Sequence, residues 1–274
     1  MAEYINFVNG VWQPASISTV SLYDAGFLLG DGLFETIRFR NGRLFQLEKH
    51  LKRLHSGLNI IQIKIEKSNT ELISCLEEMV LRNDVRSGLL RLMITRGKIE
   101  GTPWNFTGIP NVYISIRPLT EEPKEPVKVV FYPEEKYPII RFNPAIKSLN
   151  YIGNMLAKKN AEKEGAFEPV FFNRDRNVTE CAIRNIFFIQ DKTLLTPNIE
   201  LGVLPGVMRD TIIDLAPDLD LLVSEENIPV EDINNMDEAF ISSTGIGLLP
   251  CYWDGWNSKF PITSILKEKL NALI

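Results

Sequence analysis

Two stretches decide how this chain is read: Ile146-Lys147-Ser148-Leu149-Asn150-Tyr151, and Val178-Thr179-Glu180-Cys181-Ala182-Ile183-Arg184-Asn185-Ile186-Phe187-Phe188. In the first, Lys147 stands between an extended apolar stretch, Val127 to Ile146, and a helical pattern that begins at Asn150. A lysine in such a place is partly withdrawn from water. Burial penalises the charged form of an amine and lowers its pKa. An amine made nucleophilic in that way can condense with an aldehyde. The second stretch adds a carboxylate, Glu180, and an amide, Asn185, five residues later. Taken singly, Lys147 reads as a solvated charge and Glu180 as a turn acid beside Asn173 to Asn177. The rest of the chain bears on that choice.

A chain of 274 residues is long enough for two domains, each with its own core. With 45% hydrophobic and 24% charged residues the composition is that of a globular protein. A net charge of −5 and a pI of 5.3 argue against nucleic acid or an anionic membrane as the main partner. Met1-Ala2-Glu3-Tyr4 begins no secretory pattern, and no apolar run reaches the roughly 20 residues that span a bilayer. The expected location is therefore the cytoplasm. Three scattered cysteines, Cys75, Cys181 and Cys251, make neither a disulfide framework nor a zinc site. His50 and His55 are the only histidines, which is too few for a histidine-rich metal centre and gives little support to a Ser-His-Asp hydrolase.

Asn9-Gly10 and Asn41-Gly42, each between strand-like runs, predict two β-hairpins. Apolar residues at helical spacing predict helices over 47–58 and 68–82, and 88–95 and 110–116 read as strands. The charged segment 118–126 carries three prolines and has little to bury, which marks a linker. Beyond it the pattern predicts strands at 127–132, 169–172, 185–189, 193–196 and 237–241. Helices are expected at 150–165, 208–216 and 262–273. The reading is two α+β domains, a smaller one over 1–118 and a larger one over 127–274 that carries Lys147, joined by 119–126.

Pyridoxal phosphate asks four things of a protein: an amine for its aldehyde, an acid beside its pyridine nitrogen, a cup for its phosphate, and packing that fixes the ring. Lys147 supplies the first and Glu180 the second. In Leu204-Pro205-Gly206-Val207-Met208-Arg209, Gly206 precedes a helical run, which places the N–H groups of Val207 and Met208 where an anion binds. An ordinary loop-to-helix junction has the same appearance. Arg53 can add a bidentate phosphate contact, and Ser243-Thr244 can add hydroxyls.

Taken in order, these stretches resemble the class IV aminotransferase family, the pyridoxal phosphate enzymes of fold type IV. That family includes branched-chain and D-amino acid aminotransferases and aminodeoxychorismate lyases. The likeness runs through Gly30-Asp31-Gly32-Leu33-Phe34-Glu35, His50-Leu51-Lys52-Arg53-Leu54, Thr95-Arg96-Gly97, Lys147-Ser148-Leu149-Asn150, Thr179-Glu180 with Asn185, 204–209, and Ser243-Thr244 with Pro250. It implies a two-domain fold type IV architecture and a Schiff base on Lys147. It implies a ring-nitrogen contact from Glu180, a phosphate held by Arg53, Val207, Met208 and Thr244, and a homodimer. Phe34, Arg91 and Arg96 are the candidates for substrate contact, the two arginines on an equal footing. Tyr151 is a candidate for the cofactor's phenolic oxygen or for helix packing.

The resemblance implies transamination between an amino acid, with a branched-chain one as candidate, and a 2-oxo acid. Its alternative is a lyase that releases pyruvate and 4-aminobenzoate from aminodeoxychorismate; a third reading is a family member that binds the cofactor without turnover. Several positions depart from the family pattern. Met208 stands where a threonine is frequent, Arg184 replaces a small polar residue, and Leu29 replaces an aromatic. Lys98-Ile99-Glu100 follows Gly97 where D-amino acid aminotransferases carry Arg-x-His, which argues against a D-amino acid substrate.

Overall fold

Asn9 and Gly10, with φ of 49° and 92°, turn β1 (Ile5–Val8) back onto β2 (Val11–Pro14), so that Val8 faces Val11. Asn41 and Gly42 do the same between β3 (Gly32–Arg40) and β4 (Arg43–Leu44). Both pairs occupy the left-handed region that this hairpin turn requires. The computed structural model describes residues 3–102, 104, 109–119, 121 and 123–274.

The chain forms two units, Met1–Thr120 with Ile146–Asn150, and Glu121–Ala145 with Tyr151–Ile274. In the first, a short helix α1 (Ala25–Leu29) precedes β3, and helices α2 (Leu47–Ile60) and α3 (Asn69–Asn83) precede β5 (Ser87–Thr95) and β6 (Asn111–Arg117). All six strands pair antiparallel in the order β2-β1-β6-β5-β3-β4. Leu33, Ile37 and Phe39 alternate along β3 and are buried, as are Ile94 opposite Leu33, Leu92 opposite Glu35 and Leu90 opposite Ile37 on β5. The apolar stripes of α2 and α3 join them: Leu51, Leu54, Leu58, Leu72, Leu76 and Met79. Ser68 starts α3 with a reciprocal cap to Glu71.

The second unit contains β7 (Val127–Pro133), α4 (Ile152–Lys163), β8 (Glu168–Phe172), β9 (Val178–Cys181), β10 (Asn185–Gln190) and β11 (Thr193–Pro197). These are followed by α5 (Val207–Leu215), β12 (Leu222–Glu226), β13 (Glu238–Ser243), β14 (Gly247–Tyr252) and α6 (Pro261–Leu273). Its sheet runs β12-β11-β10-β13-β14-β7-β8-β9. Three of its pairings, β11 with β12, β14 with β7 and β7 with β8, are parallel. Ile186, Phe188, Ile241 and Leu249 share one core with Trp253, while Phe187 and Phe240 stack at 4.9 Å on the alternate positions. The buried carboxylate of Glu238 caps α6 by accepting from the Ile262 and Thr263 N–H groups.

One expectation is corrected. Lys147 belongs with the first unit, not with a continuous 127–274 domain. The Phe34 N–H donates to the Lys147 carbonyl and the Leu149 N–H to the Gly32 carbonyl, each at 3.0 Å, which ties 146–150 to β3. The units part at Thr120, inside the segment read as a linker, of which Thr120 and Glu122 lie outside the described residues. Among the described residues no helix is long and apolar enough to cross a membrane, and no cluster of His, Cys, Asp and Glu is arranged to hold a metal.

Candidate active site

The sequence-predicted residues fall into two groups, one in each unit. In the first unit, the strand-like pairing of 146–150 with β3 sets Lys147 beside Phe34. The half-buried Lys147 Nζ lies 4.6 Å from the centroid of the Phe34 ring, and the Arg91 guanidinium lies 4.4 Å from the same centroid. Arg91 sits opposite Thr36 and Met93 opposite Phe34, so alternation puts Phe34, Thr36, Arg91 and Met93 on the sheet face turned away from Leu33 and Ile37. That face pairs a cation with an aromatic surface next to an amine.

Glu35 lies on the other face, fully buried. It accepts from Arg53 Nε at 2.8 Å, from Arg53 Nη2 at 2.6 Å, and from His50 Nδ1 at 2.7 Å. His50 and Arg53 stand three apart on α2, so one face of the helix delivers both to the carboxylate. Burial alone would raise the Glu35 pKa, but the Arg53 charge and the hydrogen bonds from His50 and Arg53 outweigh it and hold it at about 2. Burial drives His50 the other way, below its ordinary value, and the charges of Arg53 and Lys147 add to that against the opposing pull of Glu35. His50 is therefore neutral, with Nδ1–H donated to Glu35 and a buried Nε2 that has no hydrogen-bond partner among the described residues. Neither Glu35 nor His50 was singled out from the sequence. A carboxylate among the buried alternating positions of β3, opposite a helix carrying His50 and Arg53, is the signal that could have found them.

Arg96 is placed differently from Arg91. It donates to both Asp31 carboxylate oxygens and to the carbonyls of Ile61, at 2.7 Å, and Gln62, at 3.2 Å. Those bonds tie the residue after β5 to the end of α2.

In the second unit, Glu180 on β9 and Asn185 at the start of β10 flank a tight turn closed by the Cys181 N–H on the Arg184 carbonyl. The Asn185 amide donates to the Leu204 carbonyl at 3.0 Å, and the Leu204 N–H donates to Glu180 Oε2 at 3.3 Å. The 204–206 loop is thus stitched to both residues. Gly206 follows, and a Cβ there would sit 2.0 Å from Asn185 Oδ1. It is the N-cap of α5 and carries no side chain to cap it, so the N–H groups of Val207 and Met208 open the helix with its positive end. Ser243 and Thr244 lie half-buried where β13 turns into β14, and Tyr151, also half-buried, is the N-cap residue of α4.

The departures noted in the sequence have structural partners. Arg184 pairs with the buried Glu168 and lies 4.7 Å from the Phe167 ring centroid. The Met208 side chain is buried, and Leu29 is exposed at the end of α1. A residue not anticipated, Arg141, pairs with Glu180 and with Glu134 Oε1, the latter at 2.7 Å.

Comparison with known proteins bears on the family and the fold. A family model described as amino-transferase class IV matches residues 32–252. A relative from Methanocaldococcus jannaschii, whose name assigns it provisionally to the branched-chain-amino-acid aminotransferases, is 33% identical over 97% of this chain and 95% of its own. A D-alanine aminotransferase of Listeria monocytogenes is 34% identical over 85% of this chain and 81% of its own. The crystal structure of a branched-chain aminotransferase from Thermoproteus uzoniensis superposes with a TM-score of 0.91 over 98% of this chain and 94% of that one, at 24% identity, which is a likeness of fold.

Proposed function

The chain belongs to the class IV aminotransferase family and is a transaminase, and on that premise we propose that it exchanges an amino group between a branched-chain L-amino acid and a 2-oxo acid on pyridoxal phosphate bound through its own Lys147. The observation that carries the cofactor assignment is Gly206. Its missing Cβ lets the Asn185 amide close against the start of α5, where any side chain would have to displace it, and leaves the cap position without a side chain of its own. An N-terminus without a capping side chain, entered through a glycine, fits a phosphate. The half-buried amine of Lys147 fits the aldehyde, and the Glu180 carboxylate fits a pyridinium N–H.

When bound, the cofactor supplies an electron sink for the carbanion left by loss of the substrate Cα proton. The protein's part is to hold and to move protons. With the cofactor bound, the Lys147 Nζ would be the base that takes the substrate Cα proton and hands it on to the cofactor side. Arg53, held by Glu35, and the N–H groups of Val207 and Met208 anchor the phosphate, with Ser243 and Thr244 adding hydroxyls. Tyr151 is assigned to the phenolic oxygen. Arg91, beside Phe34, is assigned to the substrate carboxylate, and Phe34 and Met93 give an apolar surface for a branched side chain. Arg96 ranks behind Arg91 because of its bonds to Asp31 and to the Ile61 and Gln62 carbonyls just after α2. The absence of Arg-x-His after Gly97 weighs for an L-amino acid over a D-amino acid.

The test is direct. Apoprotein loaded with pyridoxal phosphate and reduced with borohydride should carry the cofactor mass on the Lys147 peptide, and an adduct at another residue would refute the assignment. The loaded enzyme should convert L-leucine and 2-oxoglutarate to the keto acid and glutamate. D-alanine as the better donor would overturn the stereochemical reading. Pyruvate release from aminodeoxychorismate with no transamination would replace it with the lyase. We further propose a homodimer. Leu22, Tyr23, Phe27, Leu28 and Leu29 are each about half exposed or more within eight residues, and apolar surface so concentrated suits a second copy of the chain. Light scattering should give twice 31.2 kDa, and a monomer mass would exclude it.

A further inference from the structure

Resting on the assignment of the 204–208 segment to the cofactor phosphate, we propose that Glu168 and Arg184 are positioning residues for that cradle: their buried ion pair fixes the turn before Asn185, and Asn185 sets the 204–206 loop. The turn, 182–184, joins β9 to β10. Its first residue is held from two sides, with the Ala182 N–H donating to the Pro169 carbonyl at 3.3 Å and the Asn154 amide of α4 donating to the Ala182 carbonyl at 2.8 Å. Its second and third residues are held by Glu168, the first residue of β8. Glu168 Oε1 accepts from the Ile183 N–H at 3.0 Å, and Glu168 Oε2 accepts from Arg184 Nη1. The Ile183 side chain is exposed and adds little packing of its own. Asn185 follows at once. Its amide donates to the Leu204 carbonyl, and its Oδ1 lies so close to Gly206 that no Cβ fits between them. A turn that drifts therefore moves the entry to α5.

The pair is not a source of stability. The Glu168 side chain is fully buried and that of Arg184 is 9% exposed. Burial raises the Glu168 pKa above its ordinary value; the Arg184 charge, the Ile183 N–H and the Lys158 charge reduce that rise without cancelling it. A carboxyl held above its unfolded value costs stability once the pH passes that value, because the fold resists a charge that the unfolded chain accepts. Arg184 is itself incompletely satisfied. Its guanidinium lies over the Phe167 ring, and its Nε is buried without a hydrogen-bond partner among the described residues. Two further groups face the carboxylate. Lys158 Nζ lies 4.9 Å from the centroid of the Phe167 ring and donates to the Phe167 carbonyl, and the buried Cys181 thiol is pushed far up by burial and by the Glu168 charge. A buried ion pair that does not stabilise can still select one arrangement of the backbone. Here the arrangement selected is the turn that delivers Asn185.

The experiment compares the affinities of full-length apoprotein for pyridoxal phosphate and for pyridoxal, which lacks the phosphate. The proteins are wild type, Glu168→Gln/Arg184→Met, Glu168→Asp and Asn185→Ala. Ratios to wild type cancel the chemistry of the aldehyde itself. In Glu168→Gln/Arg184→Met the amide can still accept from Ile183, both charges are gone, and the melting temperature should hold or rise. Its Kd for pyridoxal phosphate should rise about tenfold, the scale on which a lost supporting residue weakens a bound group, while that for pyridoxal stays within about twofold. A merely structural pair would weaken both ligands alike and lower the melting temperature. That outcome, or an unchanged affinity for pyridoxal phosphate, overturns the proposal. If the double variant does not fold, Glu168→Asp carries the test. It keeps the charge but draws back by one methylene from Ile183 and Arg184. The same selective loss is expected, and an equal loss for both ligands, or none, overturns the inference. Asn185→Ala separates the two claims. A wild-type ratio between the ligands in that variant would remove the phosphate from the 204–208 segment and this inference with it. A selective loss there beside a wild-type ratio in Glu168→Gln/Arg184→Met would remove only the role of Glu168 and Arg184.

Discussion

Replacing Glu35 by glutamine tests the buried cluster that orients Arg53. The side chain keeps its shape and loses its charge, leaving a mostly buried guanidinium against a neutral amide. The carboxyl is held at about 2 against an ordinary 4.5, and that difference corresponds to about 3 kcal/mol of stability. Breaking a buried pair by removing one partner is expected to cost about 3–5 kcal/mol, so the two routes agree. The pH dependence follows from the sign. A carboxyl whose folded pKa is depressed contributes fully above the unfolded value and loses that contribution as the pH falls toward 2. Between pH 7 and pH 3.5 the wild type should lose about 1.4 kcal/mol of its advantage over Glu35→Gln. Urea unfolding of both proteins at the two pH values measures it. A difference that is the same at both would show that Glu35 contributes by shape and not by charge, and the account of Arg53 would fail.

Gly206→Ala should displace the Asn185 amide, break its bond to Leu204 and cost about 1–3 kcal/mol. Pyridoxal phosphate affinity should fall by about tenfold or more, and an unchanged melting temperature and affinity would dismiss the cradle. Arg91→Met should raise KM for the amino acid about 10–100-fold, the loss of a charge-assisted hydrogen bond, with little change in thermal stability. Arg96→Met should lower the melting temperature, because Asp31 and the carbonyls of Ile61 and Gln62 lose their donor. The reverse pattern would transfer the substrate carboxylate to Arg96.

Elements with a strong local signal were legible in the sequence. The Asn-Gly pairs at 9–10 and 41–42 fixed two hairpins, and the stripes of α2, α3 and α6 fixed three helices, because one side of each is buried. Strand β12 escaped because it is an edge: Leu222, Glu225 and Glu226 are all exposed, so no alternation appears. Strand β14 escaped because Pro250 interrupts it. Strand β7 pairs with it only at Cys251 and Tyr252, beyond the proline. Of the site, the motif residues were legible as a set, while their supports were not. Glu35 carried a readable sign, a carboxylate at a buried position of an alternating strand. Arg141 carried none, since it lies in an irregular stretch and meets Glu134 and Glu180 only through the fold. The placement of Lys147 failed for a related reason: five residues that pair with a strand more than a hundred positions earlier leave no mark in a local pattern.

That pairing has a consequence for how the protein is made. The chain passes between the units at 120–121, 145–146 and 150–151, so the first unit is not finished when its own long run of sequence ends. As the polypeptide leaves the ribosome, the first sheet must wait for residues 146–150, and with them for Lys147, before β3 gains the backbone partners of Gly32 and Phe34. A fragment ending near residue 120 would lack this segment altogether. Lys147, the amine proposed to perform the chemistry, is thus carried on the last piece of backbone the first unit receives.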